Sequence, residues 1–98
     1  MTYRLTYEAV EDVLRVLAES GNQFGLHQAE IYYTDLEASF QFLAENPRAA
    51  RERTEINPPV RVHPFQSHVI VYRVDGDDVS ILGVRHSREN WLNDDWSE

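Results

Sequence analysis

The run Ser67-His68-Val69-Ile70-Val71-Tyr72-Arg73-Val74, with the turn and returning segment that end at His86, most constrains what this chain can fold into. Its β-branched and aromatic residues favour a pleated strand. Side chains alternate along a strand, so Val69 and Val71 share one face with Arg73, while Ile70, Tyr72 and Val74 share the other. Asp75-Gly76-Asp77-Asp78 supplies the turn, because glycine and aspartate tolerate the backbone angles of a tight hairpin. Val79 to His86 then returns as the last strand. The residues upstream read as a helical layer suited to covering this hairpin.

Tyr3 and Leu5 alternate within a short strand over residues 1–5. Thr6 can cap the helix that follows, and Glu8, Glu11 and Asp12 lie where a helix N-terminus favours negative charge. Val10, Val13, Leu14, Leu17 and Ala18 recur at the three-and-four spacing of an amphipathic helix, which Phe24-Gly25 closes. A second helix is expected over Leu26 to Glu45, about 30 Å long. Ala29, Tyr33, Leu36, Phe40 and Leu43 form its main apolar face. Ile31, Ala38 and Phe42 fall on almost the opposite side, at about 100° per residue. A helix with two apolar stripes must touch two things: the sheet, the first helix or an external partner. Asn46-Pro47 stops the helix, and the short connection predicts an antiparallel helical hairpin.

Arg48 to Pro59 is the least regular stretch, with a turn of helix expected around Ala49–Arg53. Val60, Val62 and Phe65 predict a strand edged by Pro64. In the tail, Trp91, Leu92 and Trp96 stand among acids, predicting a short docking helix at Arg88–Leu92 and a frayed end over about 93–98. The order is strand, helix, helix, then three strands in an antiparallel meander. That is an α+β domain of two layers, a helical hairpin on an antiparallel sheet, occupying residues 1–98 as one domain.

Charge and composition narrow the function. Net charge is −8, and all nine basic residues are arginine. Arg48, Arg51, Arg53, Arg61 and Arg73 concentrate in the middle of an otherwise acidic chain. An acidic body repels phosphate backbones, so direct binding of DNA or RNA is not expected. No apolar run approaches the roughly 20 residues of a membrane span, which points to a cytoplasmic protein. There is no cysteine and no phosphate-binding glycine loop. His63, His68 and His86 read as structural histidines of strands, so neither metal nor cofactor is expected. Ser67-His68 and His86-Ser87 are sequence neighbours on strands and point to opposite faces, poor geometry for a serine–histidine pair. No catalytic residue is assigned.

Several landmarks together resemble the ParE branch of the RelE/ParE toxin superfamily. Phe24-Gly25-Leu26-His27-Gln28-Ala29-Glu30 is similar to the family's aromatic-Gly-x-x-Gln-Ala-Glu junction, and Leu43-Ala44-Glu45-Asn46-Pro47 to its "LAENP" helix end. Ser67 to Val74 resembles its "SHVIFYRV" strand, and Val84-Arg85-His86 its "V-x-H" ending. The landmarks run in order through residues 3–90. The chain departs from the pattern at Pro59-Val60-Arg61, where members usually show Gly-Tyr-Arg.

The resemblance implies the toxin half of a type II toxin–antitoxin pair, neutralised by a ParD-like antitoxin in a heteromeric complex, a heterotetramer being one form open to it. It implies inhibition of DNA gyrase by protein binding. A RelE-like ribosome-dependent mRNA endonuclease using His68, His86 and arginines is the alternative, and an inactive relative that only binds its antitoxin is a third. The antitoxin is expected in a groove lined by the apolar faces left over from the helical hairpin and by the exposed sheet. Arg48, Arg51, Arg53, Arg61 and Arg73 are the candidates for pairing with its carboxylates, and Ile31 and Phe42 for apolar anchoring. Arg73 is equally open to holding the fold through a salt bridge or a backbone carbonyl. Trp91, Trp96 and His86 are the candidates for target contact, with capping of the sheet as the other role for the two tryptophans and the favoured one for Trp91.

Overall fold

The computed structural model describes residues 2–97. Met1 and Glu98, the outermost residues of the expected first strand and tail, lie outside the described residues. The elements are β1 (Tyr3–Leu5), α1 (Tyr7–Phe24), α2 (Leu26–Glu45), β2 (Glu52–Arg53), β3 (Val60–Phe65), β4 (His68–Asp75) and β5 (Asp78–His86), then a 3₁₀ turn over Trp91–Asn93. Thr6 caps α1 as its sequence predicts: its hydroxyl accepts from the Ala9 N–H at 3.2 Å. Gly25 joins the helices at φ 89°, in the left-handed region that an L side chain rarely adopts.

The strand order is β1-β5-β4-β3-β2. β3, β4 and β5 form the predicted antiparallel meander. β1 differs in direction. It lies parallel to β5, pairing Tyr3 with Val79 and Leu5 with Ile81, so the sheet is mixed. The two helices carry the chain from β1 at one edge of the sheet to β2 at the other, and the meander then steps back until β5 lies beside β1 in the same sense.

The helical turn expected around Ala49–Arg53 is instead a bend leading into β2, where Glu52 pairs with Arg61 and Arg53 with Val60. Side chains from the sheet take the backbone groups that a helix would have used. Arg61 donates to the Ala50 carbonyl at 2.6 Å, while the Tyr72 hydroxyl donates to the Pro47 carbonyl and accepts from the Ala50 N–H.

Each face of the sheet has its own core. Leu36, Phe40 and Leu43 of α2 and Ala9, Val13 and Val16 of α1 pack on Ile70, Tyr72, Val79, Ile81 and Val84. On the opposite face Val60, Val62, Val69, Val71 and Leu82 are covered by Ile56, Trp91 and Trp96. The expected fraying from residue 93 is therefore corrected: Trp96 is 2 % exposed, and its indole N–H donates to the Trp91 carbonyl at 2.9 Å. Burial of two indoles outweighs the cost of ordering a short acidic tail. Among the described residues, no helix is long and apolar enough to cross a membrane.

Candidate functional site

An uncommitted apolar surface lies on the outside of the helical hairpin. Sequence periodicity assigns Val10, Leu14 and Tyr33 to inward faces. The structure leaves them 44 %, 62 % and 43 % exposed, with Leu26 at 74 %. An apolar stripe spanning Ala9 to Ala18 on both sides of one seam is too wide for a single neighbour to cover. Its core-side half packs on the sheet, and the other half lines a trough between α1 and α2. One stretch of the trough, about 260 Å³, is walled by Val10, Leu14, Tyr33 and Phe40. The next, about 800 Å³, runs from Leu17 and Tyr33 to Leu26. Leu17 and Tyr33 line both, so the two are continuous. A groove along the apolar faces left over from the hairpin is the surface expected for the antitoxin, and the width of the α1 stripe is the signal that marks which residues line it.

The second stripe of α2 is also open. Ile31 and Phe42 are 41 % and 44 % exposed, with the Phe42 ring resting against His63 at 5.7 Å between centroids. Burial holds the His63 imidazole below its usual pKa.

The five arginines do not form one free patch. Arg48 and Arg51 are exposed, and Arg51 reaches Glu55 at 3.4 Å. Arg53 lies over the Trp91 ring at 5.7 Å. Arg61 is committed to the Ala50 carbonyl. Arg73 forks onto both oxygens of Asp75, at 3.0 and 3.1 Å, and this hydrogen bonding holds the Asp75 carboxyl below its usual range. Arg53, Arg61 and Arg73 therefore serve the fold, which leaves Arg48 and Arg51 as the accessible cations of the five.

Of the two roles open to the tail tryptophans, capping is the one the structure shows. Trp91 and Trp96 are both buried against the sheet, closing its second face. The third candidate, His86, sits directly across from His68, with ring centroids 5.3 Å apart. Tyr32 completes the group, its hydroxyl 2.7 Å from His68 Nδ1. Thus His68 and His86 are brought together by strand register, whereas Ser67, Tyr72 and Arg73 stay apart from them. Burial pushes the Tyr32 phenol up to about 12, keeping it protonated. Burial first, and the neighbouring His86 second, lower the His68 pKa. The Arg88 backbone N–H donates to His86 Nδ1 at 3.2 Å. His86 Nδ1 is thus an acceptor already engaged, and His68 Nδ1 is engaged by the Tyr32 hydroxyl in a bond whose direction follows the imidazole tautomer.

A further set, unmarked in the sequence, ties α1 to the tail. β1 ends at Leu5, beyond which β5 has a free edge. Thr6 contacts the Ile81 and Leu82 carbonyls there, and Asp12, 4 % exposed, accepts the Val84 N–H at 3.0 Å. The same carboxylate binds Arg85, and its other oxygen accepts from Arg15 at 2.8 Å. Arg85 also donates to Asp94 at 3.1 Å and stacks over the Trp96 ring at 4.9 Å. Gly83 makes room for this crossing: a Cβ there would lie 2.8 Å from Trp96 and 3.0 Å from an Asp12 oxygen.

Comparison with known proteins agrees with this architecture. Residues 3–91 match the model of the ParE toxin of the type II toxin–antitoxin system parDE. Toxin ParE1 of Caulobacter vibrioides is 32 % identical over 88 residues, covering 90 % of this chain and 91 % of that one. Toxin ParE1 of Mycobacterium tuberculosis is 35 % identical over 68 residues, covering 68 % and 69 %. Among solved structures, a chromosomal ParDE toxin–antitoxin system from P. aeruginosa superposes with a TM-score of 0.74 at 22 % identity, over 88 % of this chain and 95 % of that one. The chain belongs to the ParE toxin family of type II toxin–antitoxin systems.

Proposed function

We propose that this protein is a cytoplasmic toxin that inhibits DNA gyrase by protein binding and is held inactive by a ParD-like antitoxin. The observation that carries a binding mode of action is the open apolar surface of the helical hairpin, where Val10, Leu14, Leu26 and Tyr33 stay exposed in an otherwise well-packed domain. Exposed apolar ground of this kind is what a partner covers. The antitoxin partner is supported by the family and by the ParDE system that shares the fold. Gyrase as target rests on the resemblance to ParE toxins.

A second reading, ribosome-dependent cleavage of mRNA, draws on the His68–His86–Tyr32 group. Its difficulty is chemical. A general base needs a free lone pair within reach of the proton it takes, and both Nδ1 atoms are already engaged in hydrogen bonds of the fold. Purified toxin in a gyrase supercoiling assay, run beside a ribosome-bound message assay, separates the two. Loss of supercoiling with intact messages is expected. Cut messages with normal supercoiling would replace the first reading by the second.

A further inference from the structure

We infer that the α1–α2 trough is built for a cationic amphipathic helix, so that the partner segment seated there brings lysines or arginines along its flanks. This rests on the proposed antitoxin reading and sharpens it, since the arginine-rich middle of the chain points to an acidic partner segment instead. The trough has an apolar floor with a one-signed rim. Glu30 and Glu37 are the charged residues among those lining it, and Glu11 is exposed on α1 beside Val10. The negative charge of Glu37 is felt within the trough, where it adds to burial in raising the Tyr3 pKa. The base of the hairpin, Arg15, is held by Asp12 and leaves this rim uncompensated. From Val10 to Gly21 the α1 wall is about 17 Å long, room for about three helical turns. An occupant with apolar residues at i, i+3, i+4 and i+7 fills the floor, and flanking cations meet the acidic rim.

The test uses the intact protein and two synthetic helical peptides of about 18 residues. They share one leucine face; one carries lysine on both flanks, the other glutamate. The lysine peptide is expected to bind at least about tenfold more tightly, and to weaken as salt rises. Leu14→Asp, or Glu30→Lys with Glu37→Lys, should each cost about tenfold in its affinity. Asp77→Lys with Asp78→Lys, which changes net charge equally at the β4–β5 turn outside the trough lining, should cost less than about twofold. Equal binding of both peptides, or equal losses from the two charge pairs, overturns the inference. So does a ParD-like antitoxin that binds the wild type and the trough variants alike, although the family reading then stands. If no such antitoxin binds while the peptide results hold, the partner assignment falls and the chemistry of the trough remains.

Discussion

The two faces of the sheet are sealed by different means. One lies under two helices of 18 and 20 residues, whose apolar positions repeat at helical spacing and interlock with the sheet over a wide area. The other is closed by irregular chain: Ile56 from the loop before β3 and the indoles of Trp91 and Trp96 from the tail. Each indole is backed by a guanidinium, Arg53 over Trp91 and Arg85 over Trp96. A helical cover distributes its stabilisation over many modest contacts. A tail cover depends on a few large planes pinned by named polar groups, so it fails at single points. The two are joined at one place, where Asp12 of α1 reaches Arg85 beneath Trp96.

That junction gives the sharpest test of the comparison. Asp12→Ala leaves the largely buried Arg85 without its main counter-charge and Val84 without an acceptor, and should cost about 4 kcal/mol in chemical denaturation. Asp12→Asn, which keeps an acceptor for Val84, should cost less. A loss below about 1 kcal/mol for the alanine variant would mean that the faces stand independently. Trp96→Ala comes next, at about 3 kcal/mol, with new dye binding to the bared valine face and helical circular dichroism retained. If the helical signal fell in step, the tail would be supporting both layers. Gly83→Ala is expected to cost about 2 kcal/mol, since Trp96, Arg85 and Asp12 must all shift for one methyl. A neutral outcome would show the crossing to be looser than the contacts imply.

The smallest effect belongs to the helix-covered face. The His68 pKa is lowered in the fold, so the unfolded chain binds the proton more readily. Its contribution to stability is complete above the ordinary histidine pKa and declines as pH falls through that value toward the lowered one. Replacing His68 by asparagine should flatten this part of the stability profile, measured as the change in denaturation midpoint with pH. The groups facing the ring are His86, Tyr32, Glu19, Glu89 and Arg15. A profile unaltered by the substitution would assign the pH dependence to them.

The helices were legible because their signals are local: Thr6 as a cap, Gly25 and Asn46-Pro47 as stops, leucines at fixed spacing. The meander was legible for the same reason. Asp12 and Arg85 were not, since they stand 73 positions apart and an aspartate in a first helical turn or two already has a reason to be there. Trp96 was hidden by its neighbours, as Asp94 and Asp95 read as a solvated end. Asp94 in fact anchors Arg85. The direction of β1 was equally beyond reach, because three residues carry no mark of which strand, or which sense, they will pair with.

The placement of β1 has a consequence for when the molecule is finished. Its partner is the last strand: Leu5 waits for Ile81, and the Thr2 carbonyl for the Val79 N–H. A ribosome adding about 5–20 residues per second needs roughly 4–15 s to travel from the first of these segments to the second. For the part of that interval after Glu45, roughly 2–7 s, the residues of the helical hairpin are already present, while Leu36, Phe40 and Leu43 still lack the finished sheet beneath them. The nascent chain therefore offers apolar helix surface before it offers a folded toxin, and the domain closes only as its final strand slides between β1 and β4.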